Sequence, residues 1–300
     1  MSLGRERVPN SSMSTVNILV LGVSGMLGNS VYRLFAASEG FRVTGAARSV
    51  ALLSHLPRTP TAKIVDGIDI CDFDRLVRLF REERPDVVVN CVGVIKQLAA
   101  ATDALRSISI NALFPHRLAE LTGALGARLV HVSTDCVFSG RRGAYQEGDF
   151  PDCEDLYGRT KLLGEVDYPH ATTLRTSIIG HELGSAVSLL DWFLGQPGPS
   201  VTGYRNAIFS GLPAVELGRV IRDQIVPRPD LRGLWHVASD PISKYDLLGL
   251  IADVYKKTIE IIPDDAVAID RSLDGSRFRE ATGYVAAPWR DLVVRMHASR

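Results

Sequence analysis

No stretch of this sequence approaches the roughly twenty consecutive apolar residues that a membrane-spanning helix requires, so no span is expected. Cysteine is scarce. Cys71, Cys91, Cys136 and Cys153 lie far apart, and none forms a CxxC pair or sits beside a histidine at ligand spacing. Neither a bound metal nor a disulfide framework is therefore expected, and free thiols suit a reducing, cytoplasmic setting. Charge of one sign is lacking too, since 34 Lys and Arg balance 34 Asp and Glu. Without a basic field to neutralise phosphates, nucleic acid is excluded as a partner. Residues 1–16 lack the apolar core of a signal peptide and read as a disordered polar leader.

What the chain does have is alternation. Short apolar runs at Asn17 to Leu21, Phe41 to Ala46, Val87 to Cys91, Arg128 to Val132 and Thr172 to Thr176 are separated by helical patterns. That pattern predicts an α/β fold: a Rossmann-like, doubly wound parallel sheet with helices on both faces. The expected dinucleotide-binding domain spans 17–180. After it the alternation fails, and 181–300 reads mostly as a smaller C-terminal substrate-binding region. A segment near 207–238 is expected to return to the first domain.

Three local features carry chemistry. The first is Gly22-Val23-Ser24-Gly25-Met26-Leu27-Gly28, which closes the first strand and opens a helix. Glycines permit the sharp turn and let the backbone approach a pyrophosphate at the positive end of the helix dipole. Gly22, Ser24, Gly25, Met26, Leu27 and Gly28 are thus candidate cofactor ligands. The second is the end of the second strand, Gly45-Ala46-Ala47-Arg48-Ser49, with one Arg and no acid. A carboxylate there would accept the ribose hydroxyl of NAD(H), whereas Arg48 can pair with the extra phosphate of NADP(H). NADP(H) is the expected cofactor and NAD(H) the lesser choice.

The third feature is Tyr157-Gly158-Arg159-Thr160-Lys161. Four-residue spacing on a helix sets phenol and ammonium on one face. A cation beside the phenol is expected to lower its pKa from about 10, suiting Tyr157 to exchange a proton with a carbonyl oxygen. Upstream, Ser133 and Thr134 follow a strand's carboxyl end, where open α/β sheets bind ligands. Lys96, Arg205 and Asn206 are candidate donors for a substrate diphosphate.

With GVSGMLG (22–28), DVVVNCVGV (86–94), VSTDCVFSG (132–140), YGRTKLLGE (157–165) and LRTS (174–177), the chain resembles the extended short-chain dehydrogenase/reductases. Within them it is most similar to the dTDP-4-dehydrorhamnose reductase-like group. The resemblance implies Thr134 as catalytic hydroxyl, Tyr157 as acid/base, Lys161 as its activator and a ribose ligand, and Asn111 as organiser of a proton relay. It implies that Asp69 and Ile70 flank adenine, that Cys91, Val92 and Gly93 underlie the cofactor, and that Thr176 and Ser177 lie near nicotinamide and sugar. Cys136 departs from the Tyr common at that position, and NCVGVIKQ departs from the usual alanine-rich segment after the fourth strand, so the sugar is left open between the rhamnose precursor and another deoxy or acetamido sugar.

The expected activity is reduction of a 4-keto (deoxy)sugar nucleotide, feeding polysaccharide biosynthesis. One alternative is a nucleotide-sugar epimerase or dehydratase with bound NAD, an option that Asp135 at the substrate end keeps open. The other is a non-catalytic regulatory subunit of the same fold, as in methionine adenosyltransferase. Residues alone do not fix the oligomeric state; a homodimer is one possible assembly.

Overall fold

A computed structural model describes residues 15–94, 103–184 and 187–300. The first half alternates β1 (Val16–Leu21), α1 (Met26–Ala36), β2 (Phe41–Ala46), β3 (Ala62–Val65), α2 (Phe73–Glu83) and β4 (Val87–Asn90). A helical run follows in three pieces: α3 (Ala104–Ser107), a wide π turn (Ile108–Leu113) and α4 (Phe114–Ala124). Then come β5 (Arg128–Val132), α5 (Leu156–Leu163) and β6 (Ala171–Arg175). Val16 already belongs to β1, so the leader expected over 1–16 stops short of it; residues 1–14 lie outside the described residues.

The second half is more irregular: β7 (Ile178–Ile179), α6 (Leu189–Leu194), β8 (Ser200–Tyr204), β9 (Ala207–Phe209), β10 (Leu212–Pro213), α7 (Ala214–Val220) and β11 (Gly233–His236). It ends with β12 (Ile242–Ser243), α8 (Lys244–Tyr255), β13 (Glu260–Asp264), β14 (Ile269–Asp270), α9 (Ser276–Thr282) and α10 (Trp289–Ala298).

Seven parallel strands form the central sheet in the order β3-β2-β1-β4-β5-β6-β11. The order reverses between β1 and β4, which opens a crevice at the carboxyl ends of these two strands. Successive strand side chains face opposite ways, and β1 is apolar on both faces because both are covered. Ile18 and Val20 join Val31, Phe35, Leu217 and Leu292 in one core, while Leu19 and Leu21 join Leu76, Phe80, Leu118 and Leu129 in the other.

Aspartates start the helices that matter for the site. Asp72, Asp103 and Asp155 accept the backbone N–H groups of Arg75, Arg106 and Gly158 at 3.0, 3.1 and 2.7 Å, satisfying donors that a helix N-terminus leaves free. Outside the main sheet, β8 pairs with β13, β9 pairs with β12 and β14, and β7 pairs with β10. Among the described residues no helix is long and apolar enough to cross a membrane.

Candidate active site

The glycine turn begins with Gly22 at φ +85°, a conformation that costs a side-chain-bearing residue but not glycine. Its carbonyl accepts the Gly25 N–H at 3.0 Å. Gly28 packs so close to it that an added Cβ would lie 2.1 Å from the Gly22 oxygen. Helix α1 therefore leaves the turn directly against β1, with Ser24, Gly25, Met26 and Leu27 facing a cleft of about 410 Å³.

That cleft collects most of the expected residues. Cys91, Val92 and Gly93 line it after β4, Thr134 and Asp135 after β5, Tyr157 and Lys161 from α5, and Thr176 after β6. Gly22 and Gly28 support the wall from behind. Arg48, Asp69 and Ile70 are not among the lining residues; they stand beyond the carboxyl ends of β2 and β3. There Arg48 and Arg106 both pull the Cys71 thiol down against burial and Asp69, which push it up. Two guanidiniums are thus near Cys71, and Arg106 had no distinguishing signal in sequence.

Asn111 lies behind the wall, fully buried. The wide π turn carries it to Val94, where its side chain accepts the Val94 N–H at 2.8 Å and donates to the Val94 carbonyl at 3.0 Å. It also donates to Thr160 Oγ1 on α5 at 3.4 Å. Gly164 permits α5 to approach this turn, because a Cβ there would sit 1.9 Å from the Asn111 oxygen.

Thr134 caps a short turn over Asp135–Val137: its Oγ1 accepts the Cys136 N–H at 3.1 Å and donates to Asp135 Oδ1 at 3.2 Å. Burial pushes the Asp135 carboxyl up, opposed by Arg271 and by hydrogen bonds from Cys136 and Thr134. Removal from water also pushes the Tyr157 phenol up, with Cys136 and Asp135 adding to it and Thr134 pulling it down. The expected lowering by Lys161 is therefore corrected. The ammonium donates to the Val132 carbonyl at 2.7 Å and is not among the influences on the phenol, while burial pulls Lys161 itself down to about 8. Tyr157 thus stays protonated, the state a proton donor requires.

Two expected diphosphate ligands are elsewhere. Arg205 is exposed and closes a forked ion pair on Asp265, with Nε at 2.8 Å from Oδ1, and Asn206 donates to the Asp265 carbonyl at 3.4 Å. Both belong to the β8–β9 turn, outside the cleft, and the guanidinium is already committed. Lys96 lies outside the described residues. A cation that sequence reading did not single out, Arg271, influences both Asp135 and Cys136, and its Nε donates to the Phe138 carbonyl at 2.8 Å. Sequence reading also missed Glu182, a cleft carboxylate that accepts the Val187 and Ser188 N–H groups at 2.8 and 3.1 Å. It missed Glu165 and Arg175, which are bound together with the expected Ser133 at the strand ends. Only the four-residue step from Lys161 to Glu165 was visible in sequence. Among the described residues no cluster of His, Cys, Asp or Glu could hold a metal ion.

The chain and its fold have counterparts among known proteins. The chain is 27% identical over 250 residues to methionine adenosyltransferase 2 subunit beta of Danio rerio, covering 79% of this chain and 73% of that protein. It is 27% identical over 262 residues to the probable low-salt glycan biosynthesis reductase Agl14 of Haloferax volcanii, covering 85% and 83%. The crystal structure of dTDP-4-dehydrorhamnose reductase from Bacillus anthracis in complex with NADP superposes with a TM-score of 0.75 at 20% identity, covering 94% of this chain and 99% of that one. The RmlD substrate binding domain model matches residues 16–189, and the chain belongs to that family.

Proposed function

We propose that this protein is an NADP(H)-dependent reductase of a 4-keto (deoxy)sugar nucleotide. The observation that carries the reading is a single cleft on which the glycine turn faces Thr134, Tyr157 and Lys161. The cradle suits a dinucleotide: backbone N–H groups at the start of α1 can meet a pyrophosphate. Arg48 and Arg106 offer two cations for a ribose phosphate, with no acid at the end of β2 to repel it. Once bound, a reduced nicotinamide supplies the hydride. Thr134 and Tyr157 then orient the keto oxygen, and Tyr157 delivers its proton as negative charge grows there. Lys161 supplies positive charge beneath, and Asn111 holds the Val94 backbone that floors the cleft. Arg271 and the chain after Thr176 would meet the nucleotide side of the substrate.

The test is stoichiometric. Incubated with a panel of 4-keto sugar nucleotides, the protein should consume NADPH one-for-one with ketone and leave it untouched without sugar. Sugar turnover with no net NADPH loss would instead identify an epimerase or dehydratase. Tight NADPH binding with no turnover on any panel member would favour a regulatory binding subunit, the class to which the Danio rerio relative's name belongs.

A further inference from the structure

We infer that Glu165, granted the reductase reading on which its role rests, is a positioning residue that locks Lys161 and Thr134 to each other through Ser133 and Arg175. Glu165 stands four residues beyond Lys161, just past the end of α5. Its Oε1 accepts Ser133 Oγ–H and Arg175 Nε–H, each at 2.7 Å, and its Oε2 accepts a second Arg175 N–H at 2.7 Å. Arg175 is buried and Glu165 largely so, with side chains 4% and 12% exposed.

Ser133 is bonded to Val132 on one side and Thr134 on the other. The Val132 carbonyl takes the Lys161 ammonium at 2.7 Å. A ring therefore closes: Lys161 to Val132, along the chain to Ser133, across to Glu165, and back one helical turn to Lys161. Thr134 cannot shift without straining this ring, nor can Lys161. Arg175 is fixed in turn, with its guanidinium over the Phe138 ring at 5.2 Å and another nitrogen 3.4 Å from His236 Nε2. His236 donates from Nδ1 to the Tyr145 carbonyl at 2.9 Å, which leaves the Nε2 lone pair for Arg175.

A buried Arg–carboxylate pair adds little net stability, because desolvation offsets its attraction, and well-packed apolar residues would serve a fold as well. Its position beside the lysine is what calls for explanation. The charged and titratable groups facing Lys161 are Cys91 at the end of β4, His131 on β5, and Tyr157 and Glu165 on its own segment. Burial holds His131 neutral and pushes Cys91 up to about 12. Glu165 is thus the anion among them, and the strongest influence keeping Lys161 charged against burial.

Competitive acetylation of Lys161 in the full chain across a pH series, read by mass spectrometry, measures its proton affinity without turnover. The wild-type midpoint should lie near 8, and Glu165→Gln should lower the proton affinity about tenfold. An unmoved midpoint overturns the inference. Should Glu165→Gln alone fail to fold, Glu165→Gln combined with Arg175→Met removes both buried charges and answers the same question. Ser133→Ala opens the ring with every charge retained. It should lower kcat about tenfold with only a modest fall in melting temperature, since the carboxylate keeps both Arg175 contacts, and Ser133→Thr should restore the rate. A Ser133→Ala kcat within twofold of wild type also overturns the inference. Absence of wild-type turnover on every keto sugar nucleotide would sink the reductase reading alone, since acetylation still decides the part played by Glu165.

Discussion

Asn111 grips Val94 from both sides, accepting its N–H and donating to its carbonyl with one side-chain amide. The amide acts as a strand neighbour would, extending the order of β4 past its last residue. Asn111→Ala leaves two buried backbone groups unpaired and should destabilise the fold by about 2 kcal/mol. Asn111→Asp sets a buried carboxyl against the Val94 carbonyl in place of the amide donor, so it should destabilise at least as much. Denaturant melts of the three proteins give the ranking, and equal stability of all three would remove the clamp from the account.

Tyr157→Phe keeps the ring and discards the proton. Turnover should fall by about 10² to 10⁴-fold, the range for a positioned acid, with NADPH binding nearly unchanged. Retention of a large part of the wild-type rate would mean that another group donates.

Cofactor preference should rest on Arg48 and Arg106 together. Removing either guanidinium should narrow the NADPH-over-NADH preference about tenfold, the worth of a charge-assisted contact. Titration of both cofactors by fluorescence measures it. A wild type that binds the two equally well would refute the assignment.

The pH profile follows from Lys161. Its amine is charged below about 8 and neutral above. Activity that needs the charge is therefore complete in mild acid and is lost as pH rises through about 8, giving kcat/KM an alkaline limb there. Tyr157, pushed up by burial, stays protonated throughout this window and adds no limb of its own. A profile flat well beyond this value would contradict a charged lysine in the reaction.

Gly28→Ala would set a methyl group 2.1 Å from the Gly22 oxygen. Because the obstacle is backbone rather than a flexible side chain, α1 must move off β1. NADPH binding should be lost and the melting temperature lowered, whereas Gly249→Ala, with open space around it, should do neither.

Much of this architecture is legible along the chain. A strand buried on both faces reads as a near-continuous apolar run, which marks out β1 and β4. The glycine turn betrays itself by spacing. Strand β3 escapes notice because Ala62–Val65 is a short edge strand entered from a polar loop. The helical run between β4 and β5 is interrupted by the π turn, and no residue type announces that extra width. Residues joined across the sheet are harder still. Glu165 and Arg175 meet only because α5 ends over β6, and Arg271 reaches Asp135 from 136 positions away. Arg205 looked free because its partner, Asp265, arrives through the pairing of β8 with β13.

The cofactor-facing helix is also finished late. Arg33 on α1 donates to the Ser299 carbonyl at 2.9 Å, and the inner side of α1 packs on α7 and shares its core with α10. A growing chain emerging from the ribosome exposes Val31 and Leu34 long before Gly218, the part of α7 they meet, is synthesised. The first supersecondary unit made is thus among the last to be sealed, and its apolar stripe stays open to misassociation or to a chaperone for most of translation.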